Sequence, residues 1–155
     1  MATGFGPAFD PWFNLAIRET ETRRAFAVVR IKDGAVVGST SFLDPMPPHR
    51  RVEIGHTWYS PAVWSSAVNP ESKLLMLTYA FESWGMTRVS FNVDAINLRS
   101  QAAVAKLGGV REGILRQHAV VHTGRVRDTV VFSILTTEWP VVRERLTERL
   151  VRPTT

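Results

Sequence analysis

The chain contains no cysteine, which excludes disulfides, thiolate nucleophiles and cysteine-ligated zinc. Histidine is nearly as scarce, and its four residues show no His-x-x-x-His or comparable spacing, so no metal-ligating motif is present. No run of about 18 apolar residues occurs, and the N-terminus lacks a basic segment leading into an apolar one. Neither a membrane span nor a secretory leader is therefore indicated, and a cytoplasmic protein without a membrane partner is expected. No strand interleaves aromatics with Lys or Arg along one face, which argues against a nucleic-acid partner. What the chain does have is 155 residues, 45% hydrophobic and 21% charged, enough for a single globular domain over 1–155 with a real core. Its net charge of +5 includes Arg143, Arg145, Arg149 and Arg152 interleaved with Glu, the pattern of a solvated helix face. The positive balance would serve an anionic cofactor or acidic partner equally well.

Residues 1–10 read as a loose arm and 11–22 as a helix. Runs rich in β-formers at 25–31 and 35–43 flank Lys32-Asp33-Gly34, a hairpin signal, and a proline-rich loop spans 44–50. From Arg51 to Tyr59 the chain alternates. Val52, Ile54, His56 and Trp58 share an apolar face, placing His56 in the core, while Glu53, Thr57 and Tyr59 line up on the other face. Asn69 as N-cap and Pro70 at the first helical position predict a helix over 70–84, with Leu74, Leu77, Phe81 and Trp84 as its stripe. A strand at 88–93 precedes a helix at 97–107 that is capped by Asn97, largely buried, and stopped by Gly108-Gly109. Strands at 112–121 and 126–136 join at a two-residue Thr123-Gly124 turn, which would set His118 opposite Thr129. A polar helix over 138–151 closes the chain. Trp12, Trp58, Trp84 and Trp139 are expected as core anchors. The loop before Asn69 could hold a phosphate on unpaired helix N–H groups.

Six strings, in order, carry a resemblance: Arg51-Val52-Glu53-Ile54-Gly55, Ala67-Val68-Asn69-x-Glu71-x-Lys73-Leu74-Leu75, Asp94-x-x-Asn97-x-x-Ser100, Lys106-Leu107-Gly108, Glu112-Gly113-x-Leu115-Arg116, and Gly124-x-x-Arg127-Asp128-x-x-x-Phe132-Ser133. From about Ala25 to Trp139 the chain resembles the GNAT superfamily of acetyl-coenzyme A dependent N-acetyltransferases, and within it the RimJ/RimL-like ribosomal-protein-alanine acetyltransferase branch. The resemblance implies an α/β (α+β) fold: a mixed, mostly antiparallel sheet with helices on both faces and a splayed central strand pair. The splay would admit the pantetheine arm of acetyl-coenzyme A beside Thr57, Trp58 and Tyr59. The N–H groups of Ser65, Ser66, Ala67, Val68 and Asn69 would hold its pyrophosphate. The acceptor would be a primary amine, on a protein N-terminus or a small molecule, and no metal is implied. Two departures stand out. Trp64 replaces the polar residue that opens the phosphate loop, and the usual first strand and much of the first helical region look missing, which would favour a homo-oligomer.

Against that frame Glu53 is the leading candidate general base, its alternative being a solvated or Arg-paired carboxylate. Ser100 would protonate the departing thiolate, or is a first-turn serine bonding locally to Asn97. Asn97 contacts the pantetheine arm by resemblance, though capping alone would explain it. His118 is either a base acting through water or a structural strand histidine. Tyr59 donates to the thiolate or shapes the cleft mouth, and Arg127-Asp128 forms an ion pair or a turn brace. A GNAT-like binding module without turnover is the competing function.

Overall fold

The computed structural model describes residues 21–151. The expected N-terminal arm, the helix over 11–22 up to residue 20, and Trp12 lie outside the described residues, while Glu21 and Thr22 form a turn. Strand β1 (Arg23–Arg30) turns back into β2 (Ala35–Met46) as the Asp-Gly pair predicts. Gly34 adopts φ 71°, a left-handed conformation that glycine enters without Cβ cost, and its N–H donates to the Arg30 carbonyl at 2.9 Å. Strand β2 runs on past the expected boundary to Met46, and a short 3-10 turn, Pro47–His49, leads into β3 (Arg51–Tyr59). Then come α1 (Val68–Thr78), β4 (Arg88–Asp94), α2 (Leu98–Leu107), β5 (Val110–Val120), β6 (Val126–Leu135) and α3 (Trp139–Val151).

The six strands form one sheet in the order β1-β2-β3-β4-β6-β5. Every neighbouring pair is antiparallel except β3 with β4, which pair in parallel and only over 51–53 against 88–90. Beyond that point the two central strands part, giving the expected splay. One sheet face presents Phe42, Val52, Ile54, Val89, Phe91, Val93, Val130, Phe132 and Ile134 to a single core. Into it α1 inserts Met76 and Leu77, α2 inserts Val104 and Leu107, and α3 inserts Trp139, Val142 and Leu146. Within the described residues all three helices therefore cover this one face, and the outward positions of the same strands carry Glu53, Ser90, Asn92, Thr129 and Ser133.

Three local expectations need correction. Helix α1 starts at Val68, so Asn69 lies inside the first turn and Ala67 takes the cap position. The reason is Ser66, whose Oγ accepts from the Val68 N–H at 3.3 Å and donates to the Val63 carbonyl at 2.6 Å, doing the work assigned to Asn69. Pro70 is harmless here because first-turn N–H groups have no intrahelical partner anyway. At its other end α1 widens into a π turn, Tyr79–Ser83, closed by the Trp84 N–H on the Tyr79 carbonyl at 2.9 Å. Helix α2 buries only Val104 and Leu107, since its small residues face outward and do not pack on the sheet. The β5–β6 turn has three residues, His122, Thr123 and Gly124, because the Val121 N–H pairs with the Arg125 carbonyl at 3.0 Å.

Candidate active site

The site begins where β3 and β4 separate. Glu53 faces Ser90 in the last paired position of the fork. Just beyond, β3 carries a bulge: Gly55 opposes Ser41 but Trp58 opposes Ser39, so His56 and Thr57 together span one residue of β2. His56 sits at the kink with φ 45° and is exposed. One extra residue inverts the alternation after it. Thr57 and Tyr59 therefore turn to the helix face, whereas Trp58 joins Glu53 on the opposite face. The expected line of Glu53, Thr57 and Tyr59 is thus broken, and neither His56 nor Trp58 belongs to the core cluster. Gly55 makes room at the bulge, since a Cβ there would meet Leu43 Cδ1 at 2.6 Å and Glu53 Oε1 at 3.0 Å.

Around Glu53 the outward sheet face holds a polar chain that spans four strands. Asn92 Nδ2 donates to Glu53 Oε2 at 2.5 Å. Arg127 donates from Nη2 to the Asn92 carbonyl at 3.3 Å and from Nε to Thr129 Oγ1 at 3.0 Å. Thr129 is fully buried, and its Oγ1 lies 3.1 Å from His118 Nδ1. The His118–Thr129 juxtaposition expected from a two-residue turn is present, but an irregularity between Leu115 and Ala119, with Gln117 at φ 48°, produces it. Burial raises the Glu53 carboxyl to about 7, with Asp44 adding to the rise, while the Asn92 hydrogen bond and the Arg127 charge pull it down. Glu53 is accordingly neither a solvated carboxylate nor one closed by a salt bridge. Arg127 and Asp128 do not pair with each other; Asp128 Oδ1 accepts the Gln117 N–H at 2.7 Å, a brace for the β5 irregularity.

On the helix face, Lys73 of α1 is 4% exposed. Its Nζ donates to Thr57 Oγ1 at 2.8 Å and to Thr40 Oγ1 at 3.1 Å, and the two hydroxyls are themselves 2.8 Å apart. With no carboxylate among its hydrogen-bond partners, burial lowers the Lys73 amine to about 7. The Tyr59 hydroxyl is buried beneath α1, where burial raises its pKa and the neighbouring Ser72 hydroxyl, itself donating to the Val68 carbonyl at 2.7 Å, pulls it down.

Past β3, the loop 64–69 combines strain with unspent donors. Ser65 takes φ 58°. Three of its N–H groups are already used, Trp64 on the Pro61 carbonyl at 3.1 Å, Ser66 on the Val63 carbonyl at 3.4 Å and Val68 on Ser66 Oγ. Those of Ser65, Ala67 and Asn69 have no hydrogen-bond partner among the described residues. Trp64 Nε1 donates to the Tyr59 carbonyl at 2.9 Å. Because the next N–H, that of Ser60, points to Val37 of β2, this carbonyl lies on the edge of β3 that faces the fork. Across the fork, Asn97 Oδ1 accepts the Ser100 N–H at 3.0 Å and caps α2 as expected, placing the Ser100 side chain in its first turn.

The fork thus collects Glu53, Asn97, Ser100 and the loop 64–69, while His118 joins through Thr129. Asn92 and Lys73 were not singled out in the sequence, where Arg127 figured only as an ion pair or turn brace and Thr129 only as the residue opposite His118. Lys73 had left a signal, a lysine four residues before Leu77 and seven before Ala80 on a buried stripe. Among the described residues no cluster of His, Asp or Glu is arranged to hold a metal ion, and no helix is long and apolar enough to cross a membrane.

Comparison with known proteins places this architecture. The profile of the acetyltransferase (GNAT) domain matches residues 7–110. YoaA of Bacillus subtilis (strain 168), named an uncharacterized N-acetyltransferase, is 31% identical over 100 residues, 64% of this chain and 55% of that protein. YdaF of the same organism, provisionally named a ribosomal N-acetyltransferase, is 29% identical over 107 residues, 69% of this chain and 57% of its own. The chain spans little more than half the length of these curated relatives. The crystal structure of a GCN5-related N-acetyltransferase from Brucella melitensis superposes with a TM-score of 0.85 at 31% identity, covering 92% of this chain and 64% of that one. With the domain profile matching well over half its length, the chain belongs to the GNAT acetyltransferase family.

Proposed function

We propose that the chain transfers an acetyl group from acetyl-coenzyme A to a primary amine by direct attack in a ternary complex, with Glu53 as general base. The observation that carries this is a carboxyl at the fork whose burial brings its pKa to about 7. A base poised near the working pH accepts the amine's proton most effectively. The coenzyme supplies a thioester whose C–S bond breaks as the amine nitrogen bonds to the carbonyl carbon. Glu53 takes the proton of the attacking nitrogen, directly or through one water, while Asn92 orients the carboxylate and Arg127 secures Asn92. His118, tethered to Thr129 on the same face, stands as a second acceptor through water. Ser100 passes a proton to the thiolate and regains one from solvent, to which Glu53 gives up the proton it took from the amine. The free N–H groups of Ser65, Ala67 and Asn69 suit the pyrophosphate, and the stretch of β3 at Thr57 and Trp58, which runs on past the last pairing with β4 and has Asn97 opposite, suits the pantetheine amides. Tyr59 shapes the cleft from the helix side, since its hydroxyl is buried there.

The RimJ/RimL-like branch is the assignment we favour, and YdaF's name supports a protein N-terminus as acceptor, ahead of a small amine. One observation favours the alternative of a module without turnover: the Trp64 indole occupies a β3 carbonyl that would otherwise face the ligand. Calorimetric titration with acetyl-coenzyme A, followed by transfer assays on N-terminal peptides and small amines, separates the two. Binding with turnover that Glu53→Gln removes supports catalysis, and binding without any turnover supports the module.

A further inference from the structure

We infer that Arg99 binds the diphosphate of the coenzyme and that the ring of Trp64 is the platform that holds it in place. This rests on the function proposed above and adds a residue to its site. The Arg99 guanidinium carbon lies 4.0 Å from the centroid of the Trp64 ring. The ring cannot turn freely, because its Nε1 is anchored on the Tyr59 carbonyl. Arg99 belongs to the first turn of α2, and Trp64 to the loop between β3 and α1, so their contact crosses the mouth of the fork from one wall to the other.

Three facts point to an anion. Among the described residues the Arg99 guanidinium makes no hydrogen bond or ion pair, and the carboxylate of Asp94 at the end of β4 is already bound to Arg125. Stacking on an indole satisfies a guanidinium's face and leaves the N–H donors around its rim available for bidentate contact with phosphate oxygens. The facing loop offers the unpaired N–H groups of Ser65, Ala67 and Asn69 but no cationic side chain between Trp64 and Asn69. Arg99 brings to that loop, from the other wall, the full positive charge it lacks. Trp64 then has a use at a position where it donates nothing to a ligand itself.

The test is binding, followed calorimetrically, of coenzyme A and 3′-dephospho-coenzyme A to the wild-type chain, Arg99→Ala, Arg99→Lys, Trp64→Phe and Trp64→Ala, with pantetheine titrated by NMR as the phosphate-free probe. Arg99→Ala is expected to weaken both coenzymes about 10- to 100-fold, the range for charge-assisted hydrogen bonds, and to leave pantetheine unchanged. Arg99→Lys should recover only part of that loss. Trp64→Ala should approach Arg99→Ala, while Trp64→Phe, which keeps a ring, should fall between it and wild type. Arg99→Ala should also flatten the salt dependence of affinity. Unchanged coenzyme affinity in Arg99→Ala, an equal loss for pantetheine, or a loss confined to the 3′-phosphorylated coenzyme would each overturn the assignment. Failure of the wild-type chain to bind coenzyme A would instead overturn the function proposed above.

Discussion

Replacing Lys73 with Met should make this protein more stable, and by an amount that depends on pH. In the folded chain the amine titrates near 7 rather than at the ordinary lysine value of 10.5. Between those limits the unfolded chain carries a proton that the folded chain lacks, so stability rises with pH across the window and levels off below about 7. Each pH unit is worth about 1.4 kcal/mol, so the charged lysine costs the fold roughly 5 kcal/mol at and below neutrality. From pH 7.5 to 9.5 the wild-type chain should gain about 3 kcal/mol relative to Lys73→Met. Methionine fills nearly the same volume, and Thr40 and Thr57 remain 2.8 Å apart to satisfy each other. Urea unfolding of both proteins at half-unit pH steps measures this, and with a slope near 2 kcal/mol per molar the wild-type midpoint should move by about 1.5 M against the variant. Groups shared by the two proteins, Glu53 included, cancel in the difference. Parallel curves would show that Lys73 stays charged when folded and would refute the reasoning.

The rate of acetyl transfer should fall as pH drops through about 7, where Glu53 gains its proton, and kcat/KM against pH for Glu53→Gln should lack that limb while coenzyme binding persists; an unaltered profile would remove Glu53 from the role of base. Because the Asn92 hydrogen bond holds the Glu53 pKa down, Asn92→Ala should displace the limb to higher pH, and the same profile would reveal a shift in the wrong direction. Tyr59→Phe deletes a buried hydroxyl whose one polar neighbour, Ser72, is already bonded to the Val68 carbonyl, so it should leave kcat intact and change the unfolding free energy by no more than about 1 kcal/mol. Loss of kcat there would return Tyr59 to the list of thiolate donors.

Features fixed by a few consecutive residues were legible in the sequence. Asp33-Gly34 turns the first hairpin, Asn97 caps α2, and Gly108 at φ 101° ends it. Competition between local signals was harder: Ser66 and Asn69 are both good caps, and the left-handed Ser65 decides for Ser66 by turning the chain there. The strand at 88–93 was legible, and in β4 Val89, Phe91 and Val93 alternate with Ser90, Asn92 and Asp94, but a polar face does not say which carboxylate Asn92 will meet. That depends on how β3 and β4 come side by side. The His56 bulge was hidden for the same reason, because nothing in Gly55-His56-Thr57 reveals that three residues of β3 must be matched to two of β2.

That single surplus residue gives β3 two jobs on two sides of the sheet, an acid at one end and, past the kink, a hydroxyl and a ring that brace α1. Deleting His56 would close the bulge, set Thr57 opposite Thr40 in unbroken register and leave Thr57, Trp58 and Tyr59 on the sides they already hold. Pairing His56 in register with every residue kept would instead bring Thr57 and Tyr59 over to Glu53 and drive Trp58 beneath α1. The side each residue takes is therefore set by its register with β2, and the surplus residue supplies the kink between the two jobs.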